Sequence, residues 1–382
     1  MQYMNKCLIV GGSNGIGLAI ATQCAQVAQC VIIVDRVEPD GEMSANVTYR
    51  SMNLLNNDYT FLRDYEDIDT LIITAGFGRV TPFEQILPKE IDNSFMVNAL
   101  AVIHILHFFF PRMRQQRPFH CAVMGSIAGL VVSPMLALYG ATKAAVCNGV
   151  ESLNIELEAA GTDNRILVVS PGSIKGTHFN GGANDLSLTL PLAAEILRRM
   201  QARETLFIPQ YDEVFRGVLA RYHDNPHQFG IDSYGYKMQS GRLANRPQLK
   251  IGYLSGTFDL FHIGHLNMLR RAKQYCDYLV VGIHRDASHK GKTAYIPYDE
   301  RVDIVRNIKY VDEVIPSESE DSDVWTKGIV KYDFLFVGSD YKGTERFNRY
   351  EEYFKDKGVK IIYFPYTQGT SSTQLREVLD RK

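Results

Sequence analysis

The 382-residue chain is expected to be an α/β protein of two domains, each a parallel sheet wrapped by helices. Three observations predict this. Short apolar runs alternate with longer helical patterns over residues 1–220 and again from residue 250 onward, which is the pattern of strand–helix–strand units. Residues 226–248 interrupt it with Pro, Gly, Ser, Asn and scattered tyrosines, as the end of a domain plus a linker would. Each half also opens with a strand that runs through a glycine-containing turn into a helix. The expected boundaries are 1–240 and 249–382, joined by a linker over 241–248. This length holds two full cores.

Composition narrows the class. The hydrophobic content of 45% and charged content of 22% are those of a soluble globular protein. A net charge of −2 gives no electrostatic reason to expect nucleic acid or membrane as a partner. The six cysteines show no CxxC pairing and lie in apolar segments, so buried thiols in a reducing cytoplasm are expected. No basic stretch followed by an apolar signal core opens the chain. The longest apolar run, 99–110, is interrupted by His104 and His107 and is too short to span a bilayer. No metal-ligand cluster is identified, and the acidic run 317–323 is expected to be a solvated loop.

In the first half, strands are expected at 7–10, 31–34, 70–73, 120–124 and 166–169. Gly11, Gly12, Ser13, Asn14, Gly15, Ile16 and Gly17 follow the first strand. Glycines there let backbone turn tightly against a pyrophosphate at a helix start, as in a Rossmann fold. Asp35 ends the second strand, where a carboxylate accepts from a ribose diol and repels a 2′-phosphate. NAD(H) is therefore favoured, while the adjacent Arg36 admits NADP(H). Tyr139 and Lys143 are four apart and share a helix face. A cation beside a phenol favours the phenolate, which makes Tyr139 a proton donor or acceptor for a carbonyl–alcohol pair. Ser126 ends the preceding strand and can polarise the same oxygen.

These residues resemble the short-chain dehydrogenase/reductase family over residues 5–220. The resemblance implies Ser126, Tyr139 and Lys143 as a catalytic trio, with Asn98 as a fourth member holding a water in a proton relay. It places Thr74, Ala75 and Gly76 beside the adenosine, and Pro171, Gly172 and Ile174 beside the nicotinamide. There are departures: Val10 and Thr74 replace the usual Thr and Asn, Thr177 arrives one position late, and Asn53 replaces an Asp. The polar segment 175–190 suits a lid, with Arg79, Lys175 and His178 as candidate contacts to a phosphate.

In the second half, strands are expected at 250–254, 278–283, 313–315, 334–337 and 359–364, with a helix over 266–275. Gly256, Thr257, Phe258, Asp259, His262 and His265 follow the first of these strands. Backbone N–H groups at a helix start attract anions, and two imidazoles stepping off it can donate to neighbouring phosphates. Lys290 and Lys292 lie in the loop after the second strand, Arg301 opens a helix, and Gly338, Ser339 and Asp340 end a strand. Ser371, Ser372 and Thr373 precede the last helix. Nucleotidyl transfer needs neutralisation of charge on the α-phosphate and pyrophosphate more than covalent help.

The stretch 250–380 resembles the cytidylyltransferase family, in its glycerol-3-phosphate branch, through the GTFDxxHxGH pattern and the segments 310–316 and 367–373. The nucleotidyltransferase-type, Rossmann-like fold follows from that resemblance. It implies catalytic His262, His265, Lys290 and Arg301, a CTP site built from Gly256, Thr257, Phe258, Lys292, Gly338, Asp340, Ser371, Ser372 and Thr373, and Mg²⁺. Tyr366 stands where the branch has an arginine, and Lys309 also replaces one, which leaves the acceptor open.

Together the halves predict a bifunctional cytoplasmic enzyme making a CDP-alditol. One half reduces a ketose phosphate or CDP-ketose with NAD(P)H, and the other transfers CMP from CTP to the sugar or alditol phosphate, for capsule or teichoic-acid-like polymers. A homodimer or homotetramer is expected by analogy. The competing readings are a cytidylyltransferase with an NAD-binding regulatory or dimerisation domain, and two activities on unrelated substrates.

Overall fold

The computed structural model describes residues 4–177, 179, 183–240, 250–285, 293–318, 320–365, 367, 369–370 and 372–379. They form two compact units, Met1–Arg246 and Pro247–Lys382, and the fold class is the one the sequence predicts.

The first unit holds β1 (Lys6–Val10), β2 (Cys30–Asp35), β3 (Val47–Ser51), β4 (Thr70–Ile73), β5 (His120–Met124), β6 (Ile166–Val169) and β7 (Leu206–Phe207). The sheet order is β3-β2-β1-β4-β5-β6-β7, and every pairing is parallel. Both faces are covered, so the central strands read as unbroken apolar runs. Leu8, Val10, Ile32 and Val34 pack on one face with α3 (Ala101–Met113) and α4 (Ala137–Ala159). Cys7, Ile9, Val31 and Ile33 pack on the other with α1 (Gly15–Ala25) and α5 (Leu186–Gln201). Strand order reverses beside β1, between β2 and β4, and opens a crevice at their carboxyl ends.

Helix α2 (Pro88–Phe95) runs through a π-helical turn, Met96–Leu100, into α3. Among the described residues, this 26-residue stretch is long and apolar enough to cross a membrane by length and composition. Val102, Ile105, Leu106, Phe109 and Met113 nevertheless face the core of this unit. The segment read as irregular contains a helix. After α6 (Arg216–Asp224) comes α7 (Pro226–Gln239), where Asn225 caps the start by accepting from Gln228 N. The buried Lys237 ammonium donates to Ser133 Oγ at 2.7 Å and Pro134 O at 2.9 Å. Two strands went unread because β3 is an edge strand with no fully buried residue and β7 has only two residues.

The second unit orders its five parallel strands β10-β9-β8-β11-β12: β8 (Ile251–Gly256), β9 (Tyr278–His284), β10 (Glu313–Ser317), β11 (Phe334–Gly338) and β12 (Lys360–Phe364). Leu254, Val281, Ile283 and Phe336 form its core with Leu269 of α8 (Ile263–Ala272) and Val305 of α9 (Tyr298–Arg306). The acidic run is not a solvated loop throughout. Ser317 ends β10 and is buried, and Asp321 is buried in the first turn of α10 (Asp321–Thr326). Burial raises the Asp321 carboxyl above its ordinary value.

At Gly17 an added Cβ would lie 2.1 Å from Gly11 O and 2.5 Å from Thr74 Oγ1. Gly17→Ala is therefore expected to destabilise the first unit by about 1–3 kcal/mol. Thermal unfolding followed by calorimetry should show its transition a few degrees lower, with the second unit's transition unmoved.

Two candidate active sites

The first site begins where β1 turns into α1. Gly11 adopts φ +92°, and its carbonyl accepts from Thr74 Oγ1 at 2.8 Å, so threonine in the place of the usual asparagine still clamps the turn. Ser13 N donates to Asp35 Oδ2 at 3.1 Å, and Ser13 Oγ is buried with no hydrogen-bond partner. Ile16 packs its half-buried side chain on the second core cluster. Thr177, although one position late, reaches the turn: a Cβ on Gly15 would lie 3.3 Å from its methyl. The tight glycine turn, the orphaned hydroxyl and the strand-end carboxylate fit a dinucleotide. Sequence reasoning missed Asn184, whose Oδ1 accepts from Gly15 N at 3.0 Å while its Nδ2 donates to Asn14 Oδ1 at 2.9 Å. These partners are 169 and 170 residues away, and no local pattern signals them.

Ser126, Tyr139 and Lys143 converge beside this crevice. Ser126 Oγ accepts from Ala128 N and donates to Pro171 O at 3.4 Å. Gly172 lies against Phe215, with an added Cβ 2.4 Å from its ring, and Ile174 O accepts from Thr177 Oγ1. The Tyr139 ring packs on Phe179 at 5.1 Å and so closely on Gly78 that a Cβ there would fall 2.4 Å away. Only glycine fits at 78.

Two expectations are corrected here. Burial pushes the Tyr139 phenol up to about 12, with the Ser126 hydroxyl working the other way, so Tyr139 carries its proton. Burial outweighs the Lys143 ammonium, whose Nζ donates to Met124 O at 2.7 Å and stands 5.8 Å from the ring centre. Burial lowers Lys143 to about 8. Asn98, in the π-helical turn, accepts from Phe77 N at 2.9 Å and donates to Phe77 O at 2.7 Å and Thr142 Oγ1 at 3.2 Å. Its carboxamide ties this turn to Phe77, in the loop after β4 that also carries Ala75 and Gly76. Arg79 binds Glu90 through two nitrogens and does not offer a bare cation to a phosphate. Lys175 is exposed, and His178 lies outside the described residues.

The second site is built on the start of α8. His262 is the N-cap residue: its Nδ1 accepts from Gly264 N at 3.0 Å, and His265 Nδ1 accepts from His262 N at 3.4 Å. The rings lie 4.1 Å apart. Burial lowers the His262 pKa, so the ring is neutral near pH 7. The acceptor role of each Nδ1 puts the proton on Nε2. His262 Nε2 meets Ser372 Oγ at 3.1 Å, and Ser372 Oγ donates to Asp259 O. Asp259 is the hub. Its buried carboxylate accepts from Tyr295 N and Ile296 N and pairs with Arg376 of α12 (Ser372–Leu379). Arg376, which was not foreseen, fixes the helix that carries Ser372.

Other candidates fall differently. Arg301 is 1% exposed and donates to the carbonyls of Thr257, His284, Arg285 and Ile296. It clamps the ends of β8 and β9 instead of reaching outward, because a permanent cation at that depth needs carbonyl dipoles around it. Phe258 is buried at φ +53° beneath His265, so its side chain belongs to the core. Thr257 Oγ1 is buried without a partner, an orphan consistent with a ligand contact. Gly256 lies against the Phe258 ring, and Gly338 leaves room for the exposed Asp340, whose Oδ1 would lie 2.3 Å from an added Cβ. Lys290, Lys292, Tyr366 and Ser371 lie outside the described residues, as does the Thr373 side chain. No group of three or more His, Cys, Asp or Glu among the described residues could hold a metal.

The short chain dehydrogenase family model matches residues 5–186, and the cytidylyltransferase-like model matches residues 253–378. Glycerol-3-phosphate cytidylyltransferase of Bacillus subtilis is 41% identical over 127 residues, covering 32% of this chain and 91% of that protein. An uncharacterized oxidoreductase of Listeria monocytogenes, Lmo0432, is 30% identical over 190 residues, covering 46% of this chain and 76% of that protein. The chain belongs to the short-chain dehydrogenase family in its first half and to the cytidylyltransferase-like family in its second. A solved short chain dehydrogenase from Burkholderia cenocepacia in complex with NADP superposes at a TM-score of 0.49 and 20% identity, over 58% of this chain and 95% of that one. The two family memberships make the protein a bifunctional enzyme with an oxidoreductase domain and a cytidylyltransferase domain.

In the dehydrogenase domain Lys143 is an ammonium below about pH 8 and loses its proton above it. The rate of carbonyl reduction is expected to fall as pH rises through about 8, and a kcat–pH profile checks this. In the cytidylyltransferase domain, Asp259→Asn removes one partner of the buried pair with Arg376. It is expected to destabilise that domain by about 3–5 kcal/mol, read by urea titration.

Proposed function

We propose that the protein makes a CDP-alditol: its first domain reduces the carbonyl of a ketose phosphate or CDP-ketose, and its second joins the phosphate to CMP from CTP with release of pyrophosphate. The observation that carries this reading is a carbonyl-reducing set, Ser126, Tyr139 and Lys143, in one chain with a domain 41% identical to glycerol-3-phosphate cytidylyltransferase. A reductase fused to an alditol-phosphate-type transferase makes sense as consecutive steps on one metabolite. The product would feed capsule or teichoic-acid-like polymers made from the cytoplasm.

In the dehydrogenase domain the nicotinamide, when bound, supplies the hydride. Tyr139, protonated at working pH, gives its phenol proton to the developing alkoxide while the Ser126 hydroxyl donates to the same oxygen. The Lys143 ammonium adds positive potential behind the phenol. Gly11, Gly15 and Gly17 would cradle the pyrophosphate, and Asp35 would accept from the ribose diol. The position of Asp35 favours NAD(H), and a comparison of Kd for NADH and NADPH decides the preference.

In the cytidylyltransferase domain the Nε2 protons of His262 and His265 meet the charge that builds on the phosphates. With no protein metal cluster among the described residues, Mg²⁺ would enter bound to CTP. Exposed Leu100, Ile103 and Ile155 support a homodimer or homotetramer through the first domain.

The purified protein is incubated with CTP, Mg²⁺, NADH or NADPH and a ketose phosphate panel, with NAD(P)H absorbance and pyrophosphate release followed separately. Tyr139→Phe is expected to lower reduction at least about 100-fold and spare pyrophosphate release. His262→Ala is expected to do the reverse on a similar scale. Absence of reduction with every ketose, and a Tyr139→Phe protein indistinguishable from wild type, would sink the proposal.

A further inference from the structure

A small cleft opens beside Tyr139. Its polar wall is Arg79, Thr81, Glu90 and Ser94, and Phe77 and Met135 supply apolar surface. Arg79 is the only cation lining it among the described residues, and that cation is already engaged. Its Nε and Nη2 bind the two carboxylate oxygens of Glu90, the second at 2.7 Å, Nη2 also reaches Gln85 O, and Nη1 faces Thr81 Oγ1 at 3.4 Å. The pair is partly buried, with side chains 28% and 10% exposed, and the geometry is the bidentate fork that holds both groups in place. Gly78 joins this wall to the Tyr139 ring, so whatever group of the substrate flanks the reacting carbonyl on this side meets Arg79 and Glu90.

We infer that this cleft takes an uncharged, hydroxylated end of the ketose and rejects a phosphate, with Glu90 as the discriminating residue. The inference rests on the ketose-reductase reading above. A sugar hydroxyl finds acceptors in the outer lone pairs of the Glu90 carboxylate and partners in the Thr81 and Ser94 hydroxyls. A phosphate finds a carboxylate whose countercharge is already in place, so entry sets like charges together in a confined space. The phosphate, or the CDP group, therefore stays on the far side of the carbonyl. The dehydrogenase domain reduces monophosphates and CDP-ketoses alike, while a ketose phosphorylated on both sides of the carbonyl is excluded.

The test compares kcat/KM of the wild-type protein for dihydroxyacetone phosphate, ribulose 5-phosphate and fructose 6-phosphate with that for the corresponding bisphosphates, dihydroxyacetone 1,3-bisphosphate, ribulose 1,5-bisphosphate and fructose 1,6-bisphosphate. The monophosphate that is reduced best should exceed its bisphosphate by about 100-fold or more. Glu90→Gln leaves Arg79 uncompensated and should narrow that ratio at least about 10-fold, with NADH binding as the check on folding. Should Glu90→Gln fail to bind NADH, Arg79→Met takes its place and should widen the ratio. Equal use of mono- and bisphosphate by wild type, or a ratio unmoved by a folded variant, overturns the inference. If wild type binds NADH and reduces none of the six, nor a CDP-ketose, it is the ketose-reductase reading that falls.

Discussion

In a parallel sheet every strand ends on the same side, and the chain must leave the central strand where the order of its neighbours reverses. That constraint sets the chemistry of both units. At β1 the reversal lies between β2 and β4, and at β8 between β9 and β11. No crossover helix covers the exit there, so the turn after each strand faces a crevice, and the next helix starts with its N–H groups pointing into it. Gly11 to Gly17 in one unit and Gly256 to His265 in the other occupy this position. The remaining groups, Asp35, Ser126, Asp340 and Ser372, reach the crevice from the ends of neighbouring elements. The two domains share no sequence likeness here, only this geometry.

Both sites are held by buried charges, and the way each charge is satisfied decides what it can do. The Arg301 guanidinium is surrounded by main-chain carbonyls and is fixed as scaffold. Lys143 rests on one carbonyl and is weakened by burial, which leaves it sensitive to pH. Asp259 takes two backbone N–H groups and an arginine, so it links the signature loop to the last helix. In each case the low dielectric makes the interaction strong and makes an unpaired partner costly.

Much of this was legible in the sequence because it is periodic or local. The alternation of strand and helix, the Gly11 turn, Asp35 at a strand end, and the four-residue spacing of Tyr139 and Lys143 all follow from short-range geometry. What escaped is long-range or ambiguous in pattern. Asn184 meets Gly15, and Arg376 meets Asp259, across more than a hundred residues. Helix α7 was hidden by its glycines and tyrosines, whose helix propensity is low, and it is retained because Asn225 caps it and Lys237 anchors it. Arg79 and Arg301 read as free cations in the sequence, since a one-dimensional pattern does not show which carboxylate or carbonyls will surround them. The effect expected of Lys143 on Tyr139 failed for the same reason: spacing places the two side chains together, and depth decides their protonation.

The carboxamide of Asn184 occupies the first N–H of α1 and ties back to Asn14. A neutral amide oxygen is a weaker guest on a helix start than an anion. The glycine turn is therefore kept in shape by a placeholder that the polypeptide itself provides. A pyrophosphate seated there would compete with the amide oxygen for this N–H.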